Sequence, residues 1–250
     1  MPSEPLDLIV LGGGFGGYTA AIRATQLGLK VALVEEAKLG GTCLHWGCIP
    51  TKALLESSEF LYRIRDRGKE FGIGVEGLTV DYPTIAKRRD TIVGQLTKGI
   101  EGLMRKNKIE VVNSRATVTG KNSIQAGDRK LEAKNLIIAT GSTPRSLPGI
   151  EIDGKRIITS DHAVHADHLP KSVAIIGGGA IGVEFATFYR QMGVEKVTVS
   201  EALDRLVPLE DEEVSAGRPK AFHKAGSEGT VGTKGQGAEA GPDAGRARLA

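Results

Sequence analysis

The sequence predicts an α/β architecture of two parallel-sheet units, and three observations predict it. A short apolar run leads directly into glycines spaced G-x-G-x-x-G and then into a helical stretch. A second apolar run follows and ends in an acid. The whole arrangement occurs twice in 250 residues, which one chance motif does not do.

In the first copy, Asp7-Leu8-Ile9-Val10-Leu11 is almost wholly apolar, as expected of a strand covered on both faces of a parallel sheet. Gly12, Gly14 and Gly17 come next. Tyr18 to Leu27 reads as a helix with small residues toward the sheet, and Lys30 to Val34 as a second strand ending at Glu35. Each part has a physical task. Gly12 permits the tight turn, Gly14 lets the backbone approach a pyrophosphate, and Gly17 lets helix and strand pack closely. The helix N-terminus attracts phosphates, and Glu35 can accept ribose hydroxyls. In the second copy Ser172 to Ile176 is the strand, Gly177, Gly179 and Gly182 are the glycines, and Val183 to Met192 is the helix. Lys196 to Ser200 is the second strand, ending at Glu201. The acid lies 23 residues beyond the first glycine in one copy and 24 in the other. Glycines can merely pack helices on strands, but two complete patterns in order predict two dinucleotide sites.

Between the copies, Thr51 to Arg67 reads as a helix. Ile85, Ile92, Val93, Leu96, Ile100, Leu103 and Met104 fall at helical spacing, so Pro83 to Lys106 is expected to be a long amphipathic helix. Residues 109–119 and 122–133 read as short strands. Leu136 to Gly141 reads as a buried strand ending in a glycine turn, and Ser142 to Gly149 as a linker, with a boundary near residue 147.

Charge excludes little but encourages little. Lys and Arg number 33 against 30 Asp and Glu, a net +3, so nothing argues for nucleic acid or a membrane surface as partner. The N-terminus has no basic region before an apolar run and does not read as a signal peptide. The uncharged run Leu8 to Ile22 has 15 residues, five of them glycine, too short to span a bilayer. A cytoplasmic location is expected.

Cys43 and Cys48 are the only cysteines, and both lie in GGTCLHWGCIP, residues 40–50. Three readings compete. A metal site needs about four ligands, and His45 between the cysteines makes a tetrahedral set awkward. Two buried, inert thiols are the second reading. The third is a redox pair: at the start of a helix and beside Lys52, a thiolate sits in positive potential. A disulfide beside a flavin could pass two electrons between a dithiol and a nicotinamide, which gives both dinucleotide sites a use. His162, His165 and His168 recur at three-residue spacing, but only Asp161 and Asp167 could extend a ligand set. A surface loop is the reading there, and no metal is expected.

Taken together, these motifs resemble the flavoprotein disulfide reductase family, the class I pyridine nucleotide-disulfide oxidoreductases. The resemblance runs from residue 6 to about 216. It rests on the two fingerprints and on GGTCLHWGCIPTKALL, LIIATGSTP, LPKSVAIIGGGAIGVEFA and VTVSEALDRLVP. It implies a Rossmann-like FAD-binding domain with a redox disulfide over residues 1–147. Over 148–216 it implies the first part of a second, incomplete Rossmann-like NAD-binding domain, followed by an irregular glycine-rich tail over 217–250. By the same resemblance Gly12, Gly14, Gly17 and Glu35 belong to the FAD fingerprint, Thr42 and Lys52 stand beside the flavin, and Thr140-Gly141 closes on FAD. Cys43 is the interchange thiol that meets the disulfide substrate, and Cys48 is the thiol that contacts the flavin. Gly177, Gly179, Gly182 and Glu201 belong to the NAD site, and Glu184 pairs with Lys52. The cysteine motif is most similar to the branch that oxidises the lipoyl group of a 2-oxo-acid dehydrogenase complex, as a homodimer. Glutathione- and mercuric-reductase-like enzymes are the neighbouring alternative, and a non-catalytic nucleotide-binding fragment is the alternative of another class.

Two departures stand out. Where the family usually has Asn-Val, this chain has His45-Trp46. Family members are also nearly twice as long: a later Gly-Asp motif completes their FAD site, and a last domain makes the dimer and supplies a His-Glu base. From Gly217 the composition turns glycine-rich, Gly217-Arg218-Pro219 interrupts a helical stretch, and Ser227 to Val231 is a poor strand pattern. Reduced or absent turnover by the chain as written is the expectation.

Overall fold

The computed structural model describes residues 6–216, 228–233, 235–240 and 245–249. In chain order the elements are β1 (Leu6–Leu11), α1 (Phe15–Gln26), β2 (Val31–Glu35), α2 (Gly41–His45), α3 (Cys48–Arg67), a 3₁₀ turn (Gly68–Phe71) and α4 (Tyr82–Lys106). Then follow β3 (Glu110–Asn113), β4 (Ala116–Gly120), β5 (Ser123–Ala126), β6 (Arg129–Ile138), α5 (Ser160–His165), β7 (Ser172–Ile176), α6 (Ala180–Gln191), β8 (Lys196–Ser200), β9 (Glu228–Thr230), β10 (Gly235–Ala240) and β11 (Gly245–Leu249). The chain divides into two compact units, residues 1–50 with 90–143 and residues 51–89 with 144–250. Among the described residues no helix is long and apolar enough to cross a membrane.

The first unit is built on a six-stranded sheet in the order β3-β2-β1-β6-β5-β4. β1 runs parallel to β2 and to β6, and β2 parallel to β3, while β6, β5 and β4 form an antiparallel meander. The apolar run of β1 explains its central place. Successive side chains point to opposite faces, so Leu8 and Val10 join Ala21, Ala24 and Leu33 in one core cluster. Ile9 and Leu11 join Ala32, Val34 and Ile124 in the other. Ile9, Val10 and Leu33 are fully buried. Alternation cannot show when both faces are apolar, which is why the sequence shows a continuous run.

One expectation changes here. Leu136 to Gly141 is not a separate buried strand. Its first three residues are the end of β6, and Ile137 and Ile138 are 38% and 69% exposed. The physical reason is pairing. β6 pairs with β5 only over Arg129–Glu132, and from Ala133 onward its described neighbour is β1 alone. One edge of its second half is therefore uncovered by any described strand.

The second unit contains a three-stranded parallel sheet, β7-β8-β9. Its core gathers Val183, Phe185, Ala186, Phe188 and Tyr189 of α6, Val197 and Val199 of β8, and Leu54 and Leu61 of α3. The segment read as a poor strand does pair: Thr198, Val199 and Ser200 stand opposite Glu228, Gly229 and Thr230. Parallel pairing uses backbone groups, and an open edge of β8 supplies them whatever the side chains. The region read as irregular also carries an antiparallel pair, β10 with β11. The break read at Gly217-Arg218-Pro219 lies outside the described residues.

Candidate redox and dinucleotide sites

The two glycine turns are built alike in detail. Gly12 and Gly177 have φ of +100° and +111°, a left-handed backbone that glycine adopts without a side-chain clash. Gly14 and Gly179 cap α1 and α6 with the same angles, φ −71° and ψ −176°. Gly12 N–H donates to Val34 O, and Gly177 N–H to Ser200 O, both at 2.8 Å. A Cβ on Gly17 would overlap Gly12 O, and one on Gly182 would overlap Gly177 O. These two glycines let the helix lie on the turn.

Gly14 and Gly179 differ from them. A Cβ on Gly14 would meet only Gly41 Cα, at 3.6 Å, and a Cβ on Gly179 would meet nothing within 4 Å. Their angles suit any residue. Neither packing nor backbone strain demands glycine there. Space kept bare at a helix N-terminus fits the approach of a phosphate group, so the residues present suit a dinucleotide in both turns.

The acids have a second task that the sequence reading did not include. Glu35 Oε2 accepts the Gly13 N–H at 2.6 Å and its Oε1 accepts the Ala37 N–H at 2.8 Å. Glu201 Oε2 accepts the Gly178 N–H at 2.7 Å and its Oε1 accepts the Leu203 N–H at 3.0 Å. Each acid thus latches the middle of its own glycine turn. The signal available in sequence was the similar separation of acid and glycines, 23 and 24 residues, which fits a latch as well as a ligand. Glu201 is buried, and Glu35 is partly exposed.

The cysteine segment sits on the first turn. Gly40 N–H donates to Gly13 O at 2.8 Å, and a Cβ on Gly41 would come within 2.6 Å of Gly14 Cα. α2 therefore starts in contact with the helix cap that would receive phosphate. It carries Thr42, exposed, and Cys43, partly buried. Cys48 is the first residue of α3 and is exposed, with Lys52 one turn further along the same helix. Cys43 and Cys48 are not bonded to each other in this structure. Thr140 also reaches this turn, because a Cβ on Gly12 would lie 3.1 Å from Thr140 Cα. Gly141 follows with φ +74°.

In the second unit Lys52 Nζ lies 2.6 Å from Glu184 Oε1, although 132 residues separate them in sequence. The Lys52 side chain is 59% exposed. A pair this open typically contributes about 0–1 kcal/mol, so it adds little to the stability of the fold. The histidines at 162, 165 and 168 do not converge. His162 Nδ1 lies 2.9 Å from Thr159 Oγ1, whereas His168 Nδ1 lies 2.6 Å from Asp167 Oδ1 and holds that carboxyl below its ordinary range. Among the described residues no three His, Cys, Asp or Glu side chains are grouped to hold a metal.

The fold and these residues define a class: α/β proteins with two glycine-turn units of the dinucleotide-binding kind and a cysteine pair seated on the first. The chain belongs to the pyridine nucleotide-disulphide oxidoreductase family, whose sequence profile matches residues 6–244. It is 44% identical over 241 residues to dihydrolipoyl dehydrogenase of Bacillus subtilis, covering 91% of this chain and 50% of that protein. It is 46% identical over 229 residues to dihydrolipoyl dehydrogenase of Zymomonas mobilis, covering 90% and 49%. The chain spans about half the length of these curated relatives. Among solved structures, LpdA of Mycobacterium tuberculosis superposes with a TM-score of 0.86 at 24% identity, over 98% of this chain and 55% of that one. The Cu(II) complex of the HOCl-induced flavoprotein disulfide reductase RclA of Escherichia coli superposes with a TM-score of 0.83 at 23% identity, over 98% and 53%. At these identities the likeness shows the fold.

Proposed function

We propose that the chain is the nucleotide-binding and redox-cysteine portion of an FAD-dependent dithiol oxidoreductase that delivers electrons to NAD. Its substrate is the lipoyl group of a 2-oxo-acid dehydrogenase complex, and the working form is a homodimer in the cytoplasm. The single observation that carries this reading is the seating of α2: Gly40 and Gly41 place the cysteine segment directly on the first glycine turn. The dihydrolipoyl dehydrogenase relatives support the choice of substrate.

In this reading Gly12, Gly14, Gly17, Glu35, Thr42, Lys52, Thr140 and Gly141 hold FAD. Gly177, Gly179, Gly182 and Glu201 hold NAD. When bound, FAD supplies two-electron transfer between the cysteine pair and the nicotinamide. The chain's own residues do the rest. A substrate thiolate attacks Cys43 Sγ of the Cys43–Cys48 disulfide, and Cys48 leaves as a thiolate. The second substrate thiol then attacks the substrate sulfur of that mixed disulfide, closing the substrate's own disulfide and releasing the Cys43 thiolate. Cys48 opens α3, where unpaired N–H groups favour negative charge on its sulfur. Lys52, held by Glu184, adds a cation one turn away.

The test is spectroscopic and chemical together. Adding FAD to the chain should quench flavin fluorescence with weak affinity at most, and thiol titration in air should find no thiols until a mild reductant exposes two. Two titratable thiols in native, air-equilibrated protein would rule the redox reading out.

The reading also sets cofactor choice. In this reading the Glu201 carboxylate faces the adenine ribose, where it accepts hydroxyl hydrogen bonds and repels a 2′-phosphate. Arg205, the nearest cation in sequence, is engaged by Glu212 Oε1 and Pro208 O, each at 3.2 Å. NADH should therefore bind at least about tenfold more tightly than NADPH, a difference of about 1.4 kcal/mol. Titration calorimetry with both cofactors measures it, and equal affinities contradict the role given to Glu201.

A further inference from the structure

Among the bonds that hold residues 39–47, the segment containing α2, two stand out. One tie is backbone, the Gly40 N–H to Gly13 O bond at 2.8 Å that seats the loop on the glycine turn. The other is a side chain: His45 Nε2 lies 2.8 Å from Leu39 O. A carbonyl only accepts, so Nε2 carries a proton and the imidazole is the donor. The residue is 6% exposed, and its ring lies 5.4 Å from the Trp46 ring, centre to centre. This bond joins the last residue of α2 back to the residue before its cap. Between the two ends stand Gly40 and Gly41, with φ of +117° and +61°. Two consecutive glycines give the backbone little preference for one path, so the segment carrying Cys43 needs a tie from elsewhere. A residue that only filled space would not need its ring nitrogen aimed at a buried carbonyl.

We propose that His45 is a positioning residue for the cysteine pair. Its hydrogen bond to Leu39 holds α2 so that the Cys43 sulfur stays within reach of Cys48 at the start of α3. This inference rests on the redox reading of the pair. Without the donor, the Leu39 carbonyl loses this bond and the segment relaxes, which lowers the effective concentration of one thiol toward the other.

The test measures the dithiol–disulfide equilibrium of the whole chain in glutathione buffers, by trapping and counting thiols. In that exchange the S–S bond of glutathione disulfide breaks and the Cys43–Cys48 bond forms. The two glutathione thiols produced carry away the two electrons and two protons. His45→Leu keeps apolar packing without a donor, whereas His45→Gln offers an amide N–H of similar reach. The disulfide equilibrium constant should fall about tenfold in His45→Leu, which is about 30 mV, and stay within about threefold in His45→Gln. No shift in His45→Leu, or equal shifts in both, overturns the inference and leaves the redox reading standing. A parent chain that forms no Cys43–Cys48 disulfide at any glutathione ratio overturns both. If circular dichroism shows His45→Leu unfolded, His45→Gln decides alone: a parent-like equilibrium supports the donor role, and a tenfold shift overturns it.

Discussion

Gly182→Ala should destabilise the β7–α6–β8 unit by about 3 kcal/mol or more, at the upper end of overpacking costs, while Gly179→Ala should leave stability within about 1 kcal/mol. The two positions lie three residues apart in one fingerprint, and the fingerprint gives them different tasks. The geometry separates them. A methyl on Gly182 overlaps the carbonyl of Gly177, a residue whose N–H is bonded to Ser200 O, so α6 must move off the sheet. A methyl on Gly179 meets no atom of the protein, and its backbone angles suit alanine. That methyl occupies the space kept bare at the cap of α6, so NADH affinity should fall about 100-fold, or about 2.7 kcal/mol. Urea unfolding and NADH titration of both variants make the comparison. Parent-like NADH binding by Gly179→Ala would show that the dinucleotide does not approach this cap. Parent-like stability of Gly182→Ala would show that the close approach of helix and turn is not required.

Cys48→Ser should abolish the intramolecular disulfide and trap Cys43 as a mixed disulfide with glutathione. In the parent chain the second thiol is close by, and it resolves that mixed disulfide as an intramolecular step. With serine at position 48 no resolving thiol remains, since the chain has no third cysteine. Mixed disulfide, measured by mass spectrometry in an oxidising glutathione buffer, should rise at least about 100-fold over the parent. Cys43→Ser should trap less, because the remaining thiol is the one assigned to the flavin rather than to substrate exchange. Equal mixed-disulfide levels in the parent and Cys48→Ser would mean that the two thiols do not communicate, and the assigned chemistry would fall with them.

Much of the architecture was legible because its determinants are local. The runs at Leu8 and Val173, the glycine spacings and the acids at Glu35 and Glu201 lie within short windows, and helix and strand periodicities are read within such windows. The boundaries moved by a few residues for local reasons as well. α1 begins at Phe15 because Gly14 already serves as its cap, and α3 begins at Cys48 because Pro50 is tolerated in a first helical turn. β9 was misjudged because its strand pattern is weak, and a weak pattern says nothing about a neighbour with open backbone groups.

By itself, then, the sequence determined two repeats of strand, glycine turn, helix, strand and acid, and a cysteine pair at the start of a helix. The tertiary structure alone decided how those parts touch. It seated Gly40 and Gly41 on the first turn, aimed His45 at Leu39, and turned Glu35 and Glu201 back onto the turns they follow. It also brought Lys52, which the family resemblance pairs with Glu184, to 2.6 Å from it across 132 residues, and it left one edge of the end of β6 without a described strand where β5 stops pairing. The physical reason is one of range. Backbone preference and hydrophobic period act between residues a few positions apart, whereas a hydrogen bond or a steric overlap depends on where two distant backbones meet. Only the packed sheet sets that meeting.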